Sequence, residues 1–478
     1  MYTNGVPTPA SPPPGWNDDS PEIAARATPL AAVAPAGAGD PVSLAGLAAC
    51  VEDARRATLS GASGPPDPSL FPSMRARLAK ACLNLPPAIR KAVAEPFLRS
   101  LDEMGARGFS RILAGDPERE GQARLVLDLA QALLQRGEGY EARATAAFQE
   151  VVSDLYEGFL SAEDRRGVKP PDHGVTAPIV RWGDAETGPY TWPATVTEEL
   201  DVKAALVSLP AAHATGGLIA WPALAHETAG HDILAADDGL RDELAGAVRK
   251  ELLAAKVGPA IASYWSERID ESAADVLGVL NMGPAAAVGL VGYFRALNGV
   301  WRGTPTMRNV GRAEDPHPTD IARAYLAAEA VRLLSFQGAG RWADRLVAEA
   351  DRDLGQIRLG NVAVPAGVAR ASAAAVARAV VRTHLRSLEG RALGEIQDWK
   401  DGDEAIVASL RRQMRDGGEP GTSASRARSV AGATAAHAVA AGVYEAAGGG
   451  DPRKVMPRMV AVLAEMHARN PGWKGAAS

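Results

Sequence analysis

Two histidines five residues apart, with a glutamate directly after the first, are the residues of this chain whose types and spacing could do chemistry. They stand in the run His226-Glu227-Thr228-Ala229-Gly230-His231, inside the helical pattern GLIAWPALAHETAGHDILAADDG. Imidazole nitrogens bind zinc, and the familiar hydrolase arrangement spaces two of them four apart, about 40° round a helix. Five apart, a regular helix turns them about 140° from each other, too far to share one ion. Two readings follow. Either the pair binds no metal, or the helix is locally widened, most simply by a π-type bulge of one residue. Gly230 sits where such a distortion costs least. With a metal present, a carboxylate at Glu227 can reach a water held on it and act as general base.

A catalytic zinc normally takes three protein ligands and keeps one open position. Downstream comes Asp270-Glu271-Ser272-Ala273-Ala274-Asp275 in a strongly helical stretch. Glu271 and Asp275 are four apart and share a face. One acid can ligate while the other accepts the outward N–H of a ligating histidine, which fixes its tautomer. The same spacing also describes a solvated helix face. The apolar run AADVLGVLNMG that continues this segment is less natural for such a face.

His226-Glu227-Thr228-Ala229-Gly230-His231 resembles the His-Glu-x-x-Gly-His signature of the dipeptidyl-peptidase III family of zinc peptidases. Asp270 to Asp275 is similar to that family's second, acid-rich motif, and Glu271 followed by Asp275 resembles the Glu-x-x-x-Asp of gluzincins generally. Asp270 stands where that family has Glu, and Ser272-Ala273 replace its Cys-Arg pair. The resemblance implies His226, His231 and Glu271 as ligands of one Zn²⁺ per chain and Glu227 as general base. It implies Asp275, with Asp270 beside it, as support around the ligands.

Other candidates lie outside the two motifs. Asp315-Pro316-His317-Pro318-Thr319-Asp320 opens a helix running through Arg323 and Tyr325. Thr319 or Asp320 reads as an N-cap, so Pro and Asp can be punctuation alone. Alternatively His317, Arg323 or Tyr325 donates to the oxyanion formed when water adds to a carbonyl; His317 is taken as the catalytic candidate. Tyr264 lies seven residues before Glu271 on what reads as the same helix. His213 could line a cleft or be an ordinary surface residue. His173, His384, His437 and His467 lack acidic or His neighbours at ligand spacing. Cys50 and Cys82 lie in Ala/Leu-rich helical patterns and read as small buried apolar residues.

The elements that must position these residues are mostly helical. Of 478 residues, 46% are apolar but only 5% aromatic, so the core is Ala, Leu and Val, which suits close-packed helices. Residues 1–40 are Pro/Ala-rich without periodicity and read as a disordered tail. Residues 41–168 carry apolar spacing of three and four, as do 337–478, and both are assigned as helical regions. Between about 169 and 218 lie APIVRW, YTWPATV and KAALVSL, the strongly strand-like part of the chain. IASYWSERIDESAADVLGVL, PTDIARAYLAAEAVRLL and ASRARSVAGATAAHAVAAGVYEAA read as single helices.

The expected protein is mainly α with a small β-element, a zincin-like metal-binding core at 169–336 flanked by further helices. The expected function is zinc-dependent hydrolysis, foremost of a peptide bond, on a peptide or amide substrate. The competing reading is an all-α scaffold or partner-binding protein with a degenerate or structural ion, the helical regions serving a protein partner. A non-haem iron oxygenase would use the same three ligands but leave Glu227 without a role. The net charge of −6, with Arg interspersed among acids, argues against nucleic acid. The first residues have no basic or apolar leader, and no window approaches about 20 apolar residues. The chain reads as cytoplasmic, without a membrane partner.

Overall fold

The computed structural model describes residues 41–114, 120–160, 165–173, 176–416 and 432–470. The Pro/Ala-rich tail and the first part of the run beginning ASRARSV lie outside them. The described residues are mainly α, 68% helical, with one three-stranded and one two-stranded sheet among them. Among the described residues no helix is long and apolar enough to cross a membrane.

Most helices follow the expected periodicity. Leu240–Ala254, for example, buries Leu240, Leu244, Val248 and Leu252 at four-residue intervals. The stretch read as one helix around Tyr264 and Glu271 is two, Pro259–Ser266 and Ile269–Met282. The break falls at Arg268, which leaves helical geometry at φ −110° and ψ 30° and lays its guanidinium over the Tyr264 ring. Tyr264 is therefore not on the helix of Glu271. The Ile269–Met282 helix is buried on nearly every side, which explains its apolar run.

The strand-like region forms β1 (Ile179–Gly183), β2 (Tyr190–Trp192) and β3 (Leu206–Pro210). β3 is central, parallel to β1 and antiparallel to β2, with Thr191 opposite Val207. A hairpin of β4 (Ile357–Leu359) and β5 (Val362–Val364) was not expected; Gly360, at φ 58°, makes its turn. The first sheet separates two hydrophobic clusters. Ile179, Tyr190, Trp192 and Leu206 join helices between Met74 and Leu134. Val180, Trp182, Val207 and Leu209 join a larger core built from all three helical stretches. Cys50 and Cys82 are both buried.

Edge strand β2 is anchored by a buried carboxylate. Asp128 accepts from Tyr190 Oη (2.6 Å) and Trp192 Nε1 (2.8 Å) and lies 3.1 Å from Arg181 Nη1. A buried charge satisfied this way resists rearrangement, since removing one partner typically costs about 3–5 kcal/mol. Tyr190 and Trp192 are thus fixed on one face, and Thr191 between them points to the other.

Candidate metal centre

His226 and His231 lie in a π-helix, Ala225–Asp232. Closing each turn with i→i+5 bonds returns residues five apart to one face, which resolves the spacing that a regular helix forbids. The two Nε2 atoms are 3.1 Å apart and the rings nearly perpendicular, at 87°. Gly230 matters here for clearance. A Cβ at Gly230 would stand 2.4 Å from Ala274 Cβ and 2.6 Å from Ala274 Cα. Its absence lets the π-helix lie against the Ile269–Met282 helix, bringing Glu271 and Asp275 to the histidines.

Glu271 closes the set. Its Oε2 lies 3.4 Å from His226 Nε2 and its Oε1 3.5 Å from His231 Nε2. Oε2 is buried without a hydrogen-bond partner, an expense that a metal ligand removes. The 3.1 Å between the two nitrogens is close to the ~3.3 Å spacing around a tetrahedral ion with bonds of ~2.0–2.1 Å, and each nitrogen has one Glu271 oxygen within 3.5 Å. The three residues are the cluster of metal-ligand type among the described residues. Burial opposes ionisation of Glu271, yet His317 and His231 beside it hold the carboxyl well below its ordinary range.

Asp275 turns to the far side of His226. Its Oδ1 accepts from His226 Nδ1 at 2.9 Å, which leaves Nε2 as the nitrogen able to take a metal when the ring is neutral. Arg323 grips the same carboxylate through Nε (2.7 Å) and Nη2 (2.8 Å). That buried ion pair keeps Asp275 ionised against the effect of its burial. Arg323 Nη2 also lies 3.4 Å from Glu271 Oε2. Sequence reasoning offered Arg323 as an oxyanion donor; its position ties the two acids together instead.

His317 arrives from the loop before the Asp320–Arg332 helix. Its Nε2 is 3.3 Å from Glu271 Oε1, and Asp315 Oδ1 accepts from both its Nδ1 and its backbone N–H at 2.9 Å. Glu271 raises the His317 pKa, burial opposing and Asp315 adding to the rise. The loop is pinned at several points. Tyr264 Oη accepts from Thr319 N at 2.9 Å, and Asp320 holds Arg308 at 2.8 Å and Asn298 at 2.7 Å. Thr319 occupies the N-cap position without a side-chain cap bond.

Glu227, which follows His226 in the π-helix, is buried, and its Oε2 accepts from Thr191 Oγ1 at 2.9 Å. Thr191 carries no sequence signal: it is one threonine in a β-prone run 36 residues upstream, and only the sheet's register aims it here.

The remaining candidates are placed elsewhere. Asp270 pairs with Arg241 at 2.7 Å, and partial burial raises its pKa while Arg241 and His231 oppose the rise. One helical step before Glu271, it faces the surface. Tyr325 donates to Asp351 Oδ1 at 2.8 Å. His213 lines no surface; it is fully buried beneath Tyr293 Oη, 3.3 Å from Nε2, and burial pushes its pKa down to about 4. His173, His384, His437 and His467 each lie against acids, Asp238, Glu395, Asp403 and Glu150 respectively. His437 also makes a capping box with Thr434.

No protein-family model matches the chain, and neither the curated proteins nor the solved structures contain a significant match.

Proposed function

We propose that the chain is a zinc-dependent hydrolase acting on peptide or related amide bonds. The observation that carries this reading is the triangle of His226 Nε2, His231 Nε2 and the Glu271 carboxylate, with the buried Glu227 on the same π-helix. Zinc bound there would polarise a carbonyl and lower the pKa of water toward about 7. Glu227 would take a proton from the attacking water and hand it to the leaving amine. His317, with Nδ1 bound to Asp315, presents Nε2 to the same site and would donate to the carbonyl oxygen as negative charge develops on it. Arg323 and Asp275 would hold His226 in its ligating tautomer. An oxygenase with the same ligands would leave the buried Glu227 without a role.

The test is metal analysis of protein purified without added ions, with cleavage of a mixed synthetic peptide library read by mass spectrometry. One zinc per chain and cleavage abolished by chelation are expected. Iron in place of zinc, or tightly held zinc with no cleavage, would overturn the hydrolase reading.

The affinity should depend on pH. In the metal-free chain burial disfavours the charged form of His226, but Asp275 and Glu271 outweigh it and push its pKa up to about 10. A ligand must be neutral at Nε2, so binding below that pKa expels a proton. Apparent zinc affinity should therefore rise about tenfold per unit between roughly pH 6 and 8. Competition against a chelating dye measures it; a flat profile would show that Asp275 and Glu271 do not hold His226 protonated in this range.

A further inference from the structure

We propose that Thr191, on edge strand β2, is a positioning residue that selects which oxygen of Glu227 serves as the base. The inference rests on the reading of Glu227 as general base and adds a residue to it. Thr191 Oγ1 is 2.9 Å from Glu227 Oε2 and 3.0 Å from the Glu227 backbone carbonyl oxygen. A hydroxyl has one proton to donate, so an ionised Oε2 and the carbonyl compete for it, and charge favours the carboxylate. Oε2 is then committed to the strand, and Oε1 is the oxygen left to face a water. When a water O–H bond breaks and its proton moves to Oε1, Oε2 becomes the carbonyl of a carboxylic acid. It can still accept from Thr191. The same contact therefore suits both protonation states, and Glu227 need not change rotamer between taking the proton and passing it to the amine.

The strand is rigid enough for this role. Thr191 is β-branched, which restricts its χ1, and it is paired with Val207 of central strand β3. Its neighbours Tyr190 and Trp192 are both fastened to Asp128. Orientation of a reacting group to within about 0.5 Å is what such second contacts supply. The contact also joins the sheet to the π-helix beside the histidines, which gives this small β-element a part in the chemistry.

The experiment compares wild type, Thr191→Val, Thr191→Ser and Glu227→Gln as full-length proteins. Val keeps the shape and removes the hydroxyl; Ser keeps the hydroxyl. Zinc content, melting temperature, crystal structures of the zinc-loaded proteins, and kcat and KM on the fastest-cleaved peptide of a synthetic octapeptide mixture are measured. Thr191→Val should retain zinc and KM, lose about 10–100-fold in kcat, and show the Glu227 carboxyl rotated from its wild-type position. Thr191→Ser should restore both rate and rotamer to within a few-fold of wild type. An unmoved Glu227 carboxyl in Thr191→Val overturns the inference, whatever the activity. So does a rate loss that Ser fails to rescue, which would mark a packing role. Full turnover by Glu227→Gln would instead sink the base assignment, while the rotamer in Thr191→Val still decides whether Thr191 orients the side chain.

Discussion

Glu227→Gln is expected to keep the zinc and the fold and to lose about 10²–10⁴-fold in kcat, the range general acid–base catalysis contributes. Gln has the same size, and its amide can still meet Thr191 Oγ1, which lies 2.9 Å from Oε2 in the wild type. What it lacks is a site that can take and return a proton. Glu227 is not in the ligand triangle of His226, His231 and Glu271, so metal content should hold. KM should change little, because the lost interaction belongs to the transition state. Side-by-side assay of zinc content and single-turnover cleavage by wild type and variant separates the roles. Loss of zinc in step with activity would make Glu227 a structural neighbour of the site, and undiminished cleavage would point to another base.

Much of this site was legible because helices translate spacing into direction. His226 and His231 at five residues demanded a widened turn, and the Ala225–Asp232 π-helix provides it. Glu271 and Asp275, one turn apart, meet opposite ring nitrogens of His226. Asp270 differs for the same geometric reason: a neighbour in sequence points about 100° away on a helix, and its ion pair is with Arg241.

Contacts made through loops and strands were less legible. His317 was within reach of inference as a histidine opening a helix, but Asp315 locking its Nδ1 depends on a turn that spacing does not specify. Arg323 was noticed for its charge, and its actual partner, Asp275, is 48 residues away. Thr191 was invisible, since a strand's period of two gives a face but not which helix lies across it. The β4–β5 hairpin escaped because three-residue strands are too short for any alternation to register.

Gly230→Ala is the other change expected to have a large effect, and it tests whether helix separation builds the site. Ordinary contact for a methyl carbon is about 3.5–4.0 Å. The added Cβ would meet Ala274 Cβ at 2.4 Å and Cα at 2.6 Å, and the backbone of a buried helix cannot turn aside as a side chain can. The two helices must part by about 1 Å or more, whereas ligand geometry tolerates about 0.5 Å. His226 and His231 would then move together away from Glu271, while their own 3.1 Å separation survives. Zinc binding should fall by more than 100-fold, with about 1–3 kcal/mol of stability lost to overpacking. The protein should remain folded but largely metal-free, as read by metal analysis and thermal melting. Pairing the change with Ala274→Gly removes the Cβ clash but leaves the Cα at 2.6 Å, so the double variant should recover zinc only in part. Wild-type zinc content in Gly230→Ala alone would mean that the close crossing is incidental, and that some other feature of the π-helix brings the ligands together.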